Sequence, residues 1–148
     1  MKKIANYALA YGMWIVDIGL ALWLCYLIRG GILDLFIKSF KPGAWAYQQR
    51  MNMTDRVVVI VLGLSWLAMM IFTEQYFRQG IRKGVLLRRI AKVTGQILLA
   101  IFVVDIIRLW ISGPAGGSWL RWLALGIEVT AGIGLLVYAK TRSAPQLH

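Results

Sequence analysis

Histidine and cysteine are almost absent from this sequence, which has one of each, His148 and Cys25. A haem or copper centre within a membrane needs paired histidines, and zinc and iron–sulfur sites need several cysteines or histidines. We therefore expect no metal and no cofactor to be bound by this chain alone. A single cysteine also rules out a disulfide within the chain.

Motifs for catalysis are missing as well. The sequence has no Gly-x-x-x-x-Gly-Lys-Ser/Thr nucleotide-binding loop, and no serine or cysteine lies near a histidine as nucleophilic catalysis requires. Acidic residues are also few, six against 17 Lys and Arg. We expect that the protein is not an enzyme.

Apolar residues are what the sequence has in excess. They make up 59% of the chain, against about 45–50% in soluble domains, and they form long runs rather than a helical or strand period. A bilayer core of about 30 Å is crossed by a helix of roughly 20 such residues. We predict an all-α integral membrane protein of a single domain, 1–148, whose four transmembrane helices cover about 7–28, 57–77, 94–112 and 119–139.

The connections between these spans differ in composition. After the first span, Gly30-Gly31 predicts a helix break, and GILDLFIKSF predicts a short interfacial helix in the first outer loop before a turn at Lys41-Pro42-Gly43. The uncharged sequence GPAGGS predicts a tight loop before the fourth span. Spans two and three are joined by a basic amphipathic segment, whose basic residues are Arg78, Arg82, Lys83, Arg88, Arg89 and Lys92.

The basic residues also predict orientation, because cytoplasmic loops carry the excess of Lys and Arg. Four spans place both termini on one side, and its ten basic residues are Lys2, Lys3, the six just named, Lys140 and Arg142. The opposite side has five, namely Arg29, Lys38, Lys41, Arg50 and Arg56. We expect both termini in the cytoplasm and, since no targeting segment is recognisable, a prokaryotic inner membrane.

Four ionisable residues fall within the apolar runs: Asp17, Asp105, Arg108 and Glu128. An unpaired carboxylate at the bilayer centre costs roughly 2.5 kcal/mol or more. Asp105 and Arg108 are three residues apart, so we expect their side chains to be neighbours on one helix. The four residues predict an intramembrane charge cluster that fixes helix packing, relays protons or ions, or pairs with a charge on a partner chain.

The fourth span carries small residues at every fourth position, Gly126, Thr130 and Gly134. Such a stripe lets two helix backbones approach closely. Glu128 projects from the opposite side, which also has small residues. We expect one of these two faces to pack against the other spans and the other face to meet a neighbouring chain.

The basic segment between spans two and three favours anionic lipid as its partner, with a peripheral cytosolic protein as the alternative. It lacks the aromatic platform that single-stranded nucleic acid requires, so we expect no nucleic-acid partner. Small size, close-packing faces and buried charges together predict a non-catalytic accessory subunit of an electron-transfer, photosynthetic or transport complex. Two alternatives are a small oligomeric proton- or ion-coupled transporter or channel, and a membrane anchor that recruits a soluble partner.

Overall fold

The computed structural model describes residues 2–39, 45–112 and 119–141. These residues form four helices, α1 (Lys2–Ser39), α2 (Trp45–Arg82), α3 (Leu86–Ser112) and α4 (Trp119–Thr141). All four are long and apolar enough to cross a membrane, and at most 33% of any apolar window is buried within the molecule. The sequence prediction of four such helices is confirmed for the described part of the chain.

The first helix is much longer than predicted. It runs for 38 residues without interruption, about 57 Å at 1.5 Å per residue. The predicted helix break at Gly30-Gly31 is therefore wrong, and so is the separate interfacial helix after it, because residues 31–39 continue α1. Phe40, the predicted turn at 41–43 and the predicted loop at 113–118 lie outside the described residues.

The basic amphipathic segment between spans two and three belongs to the two helices that it joins. Its first half forms the last turns of α2, and its second half forms the first turns of α3. The turn between them is a Schellman motif, in which Val85 N–H donates to the Gly80 carbonyl at 3.0 Å and Gly84 N–H donates to the Ile81 carbonyl at 3.3 Å. Gly84 takes the left-handed conformation that this motif requires, with φ of +67°.

The helices do not form a closed four-helix bundle. Helix α1 packs against both α2 and α3, and α2 also touches α3, whereas α4 touches α3 alone among the described elements. Buried apolar residues form two clusters, one around Phe77 and Leu86 and the other around Leu27 and Ile101. The molecule is thus a three-helix core, and α4 lies along one side of it.

Candidate functional site

Successive helices run in opposite directions, and most of the charged residues lie toward one of the two ends of the molecule. We call the end at the Gly84 turn the basic end, and the end at Arg29 and Arg108 the paired end. Three Arg–Asp ion pairs hold the paired end, and each joins two different helices. They are Arg29–Asp55 between α1 and α2, Arg108–Asp34 between α3 and α1, and Arg121–Asp105 between α4 and α3.

The first pair has the tightest geometry. Arg29 Nε donates to one carboxylate oxygen of Asp55 at 2.6 Å, and Nη2 donates to the other at 2.8 Å. Two parallel hydrogen bonds of this kind fix the orientation of both side chains as well as their distance. This pair therefore sets the register of α1 against α2 at the paired end.

Arg108 lies in a recess that two glycines create. A side chain on Gly30 would begin 3.3 Å from Arg108 Nη2, and one on Gly31 would begin 3.4 Å from its Cγ. Its guanidinium reaches Asp34 at 3.6 Å, while its buried Nε has no partner among the described residues. The glycine pair predicted to break the helix instead leaves room for an arginine from α3.

The third pair has a second acid beside it. Arg121 Nη2 lies 3.7 Å from Asp105 Oδ1, and Glu128 on α4 is close enough for the Asp105 carboxylate to act on it electrostatically. The Oε2 atom of Glu128 is buried and makes no hydrogen bond within the described part of the chain. Arg121 therefore pairs with Asp105, and Glu128 forms no ion pair within the described part of the chain.

Asp17 is separate from this group. It is only 1% exposed, and its Oδ1 accepts a hydrogen bond of 2.8 Å from the Thr94 hydroxyl. Thr94 precedes Asp105 on α3 by 11 residues, about 16 Å along the helix axis.

The four predicted charged residues therefore do not form one cluster. Asp105 forms its ion pair with Arg121 and Arg108 forms its ion pair with Asp34, although the two residues are neighbours three apart on α3, as expected. Glu128 lies within electrostatic range of Asp105, and Asp17 is apart from the other three. Within the described residues, no three His, Cys, Asp or Glu side chains are grouped as a metal site would need.

The two faces of α4 differ in what lies against them. A Cβ on Gly132 would lie 3.0 Å from Leu99, and a Cβ on Gly95 would lie 3.0 Å from the Gly132 carbonyl. The close contact with α3 is therefore made on the Glu128 side of α4. A Cβ added to Gly126 or Gly134 would meet no described atom within 4 Å, and Thr130 is exposed, its hydroxyl donating to the Gly126 carbonyl at 2.6 Å.

At the basic end one arginine has a structural contact and the others face outward. Arg89 donates to the Tyr76 carbonyl at 2.6 Å and lies over the Tyr76 ring at 4.3 Å, so it joins α3 to α2. Arg78 is 3.7 Å from Glu74, one turn away on α2. The remaining members of the predicted basic surface, Arg82, Lys83, Arg88 and Lys92, are exposed.

Sequence reasoning identified several of the charged residues but not their ion-pair or hydrogen-bond partners. Arg29, Asp34, Asp55 and Arg121 were not among the predicted site residues, and neither was Thr94. All four missed charges lie near the ends of the predicted spans, where a charged residue is typical of a boundary. The spacing of charges along one helix carries no signal for these partners, because each of the three pairs joins two different helices.

The chain matches no protein-family profile, no characterised protein and no solved structure.

Proposed function

We propose that this chain is a non-catalytic accessory subunit of a larger membrane protein complex, which it enters by spanning the membrane with its four helices. Electron-transfer, photosynthetic and transport assemblies are the classes of host. The observation that carries this proposal is the uncovered face of α4. Gly126, Thr130 and Gly134 lie on it with no described residue of this chain against them, although small residues at that spacing are suited to close helix contact.

The ion pairs support a structural role for the charged residues. Each of the three pairs at the paired end connects two helices, and together they connect all four. A proton or ion path would instead need polar groups in series from one end of the molecule to the other. Thr94, the hydrogen-bond partner of Asp17, lies about 16 Å from Asp105 along the α3 axis. This separation argues against such a series.

The test is purification in mild detergent from the native membrane, followed by identification of the proteins that remain bound. Gly126→Ile with Gly134→Ile places bulk on the uncovered face and should release the partner. Gly63→Ile is the matched control, because Gly63 of α2 also has nothing within 4 Å. Retention of the partner by the double variant, or loss from the control alone, would contradict docking through α4.

One observation favours a second function, that of a small oligomeric proton- or ion-coupled transporter. Glu128 retains a buried carboxylate oxygen without a hydrogen-bond partner among the described residues, and intramembrane carboxylates of this kind mark ion pathways. Proton flux through reconstituted protein decides between the two functions. Flux that Glu128→Gln abolishes supports transport, and an absence of flux in both proteins supports the subunit.

We further propose that the basic end faces the cytoplasm of a prokaryotic cell, that both termini lie there, and that anionic lipid contacts the exposed basic residues. Arg108 and Arg121 reduce the charge difference to ten against seven, since both lie at the paired end. Three of those seven are ion-paired with aspartate. The exposed Arg82, Lys83 and Arg88 leave the basic end with cations that form no ion pair within the described residues, and anionic headgroups attract such cations.

Cysteine labelling tests this orientation. In a Cys25→Ser background, Lys83→Cys reports on the basic end and Lys38→Cys on the paired end. A membrane-impermeant thiol reagent applied to intact spheroplasts should label the variant at 38 and leave the variant at 83 unlabelled until the membrane is opened. Labelling of the variant at 83 in intact spheroplasts would reverse the orientation.

A further inference from the structure

The carboxylate of Asp17 is only half satisfied by the protein. Its Oδ1 accepts the hydrogen bond from Thr94, but its Oδ2 is buried and has no partner among the described residues. No Lys or Arg among those residues forms an ion pair with it. A buried carboxylate oxygen in this state needs a hydrogen-bond donor from somewhere else.

A small cavity adjoins this carboxylate. Its volume is about 10 Å³, which is the space that a single water molecule needs. Only Asp17 and Thr73 bring side-chain oxygens to the described wall, and the indole N–H of Trp66 is turned away to the Ile18 carbonyl at 3.3 Å. The rest of the wall is apolar, formed by Ile18, Ala21, Met69 and Met70.

Thr73 also belongs to a second space, which offers a way in. It lines a groove of about 390 Å³ between α2 and α3, together with Tyr76, Lys92 and Gln96. Thr73 itself is 8% exposed, while Lys92 and Gln96 are exposed. One threonine side chain therefore lies between the Asp17 cavity and an open groove near the basic end.

We propose that the cavity binds one water molecule, which donates a hydrogen bond to Asp17 Oδ2, accepts one from the Thr73 hydroxyl, and exchanges with the groove past Thr73. Two partners are within the range of two to four that buried waters use. Metal cations such as Ca²⁺ and Mg²⁺ take about six or more oxygens, and the three side-chain oxygens of Asp17 and Thr73 do not supply such a shell. The site goes beyond the subunit function and does not depend on it.

Solid-state NMR of the labelled protein in bilayers tests this site directly. The measurement is magnetisation transfer from water to the Asp17 Cγ carbon, which is assigned by its loss in Asp17→Asn. Transfer is expected in the wild type and in Thr73→Ser, which retains the hydroxyl. It should be lost in Thr73→Val and unchanged in Thr130→Val, the control at an exposed threonine of α4.

Three results would overturn the proposal. The first is a wild type without transfer, which means a dry cavity. The second is equal transfer in Thr73→Val and the wild type, which means that water reaches Asp17 without Thr73. The third is a shift of the Cγ signal on addition of sodium that potassium does not reproduce, which means that a cation occupies the site.

Discussion

Arg108 of α3 lies across Gly30 of α1, with its Nη2 atom 3.3 Å from the point where a Gly30 side chain would begin. The same guanidinium reaches Asp34 one turn further along α1. A charge on one helix thus depends on the absence of a side chain on another. This relationship explains why two adjacent glycines, which usually weaken a helix, occur within an uninterrupted one.

The first prediction follows from that contact. Gly30→Val should push Arg108 away from Asp34 and lower the unfolding free energy by about 1–2 kcal/mol, since overpacking has costs of this order. Gly19→Val is the matched control, because Gly19 lies in the same helix with nothing within 4 Å. Denaturant unfolding in detergent measures both. Equal stability of the two variants would mean that the recess is not needed.

The second prediction separates the two faces of α4. Gly132→Ile should force α4 away from α3 and cost about 1–3 kcal/mol, because Leu99 lies 3.0 Å and the Gly95 carbonyl 3.3 Å from the new Cβ. Gly134→Ile, two residues along, points into open space and should leave the stability of the isolated chain close to that of the wild type. Thermal unfolding of the two purified variants makes the comparison, and similar losses in both would contradict the assigned faces.

The number and type of the helices could be predicted from the sequence, because four long apolar runs leave few alternatives to helices that cross a bilayer. The residues at which the helices begin and end could not be predicted. Residues 31–39 and 45–56 are polar enough to suggest a connection, yet they continue α1 and α2. Once a long helix is formed, each added residue costs little, so helix ends need not coincide with the ends of the apolar run.

The partners in the ion pairs could not be predicted from the sequence either. That Asp105 and Arg108 need partners follows from their apolar surroundings, but the choice of partner depends on how the helices are rotated and which are neighbours. Spacing on one helix predicted that the two side chains are neighbours, but it could not predict that helices α4 and α1 supply their ion-pair partners, Arg121 and Asp34. The sequence of a single chain contains no signal for that rotation beyond the small residues, and those occur on both faces of α4.

The third prediction concerns the pair that joins α4 to α3. Arg121→Met should cost about 1–2 kcal/mol, less than for a fully buried pair, because the Arg121 side chain is 28% exposed. Adding Asp105→Leu removes the unpaired carboxylate and should restore most of that loss. The double-mutant cycle is measured by denaturant unfolding in detergent. Strictly additive losses would show that the two side chains do not interact.

The fourth prediction concerns Asp17 and its one hydrogen-bond partner among the described residues. Thr94→Val leaves both carboxylate oxygens without such a partner and should destabilise the chain by about 1–3 kcal/mol. Thr94→Ser keeps the hydroxyl and should cost less. Thermal unfolding is the measurement. A valine variant as stable as the wild type would mean that the hydrogen bond from Thr94 to Asp17 does not stabilise the chain.

The last prediction concerns the turn at the basic end. Gly84→Ala puts a side chain on the residue whose φ is +67°, a conformation that costs L-residues roughly 1–2 kcal/mol. Gly12→Ala, in the helical interior with open space around it, should instead gain up to about 1 kcal/mol from helix propensity. The two alanine variants should therefore shift the unfolding temperature in opposite directions. A Gly84→Ala variant as stable as Gly12→Ala would contradict this prediction. It would show that another turn of similar energy can replace the Schellman turn between α2 and α3.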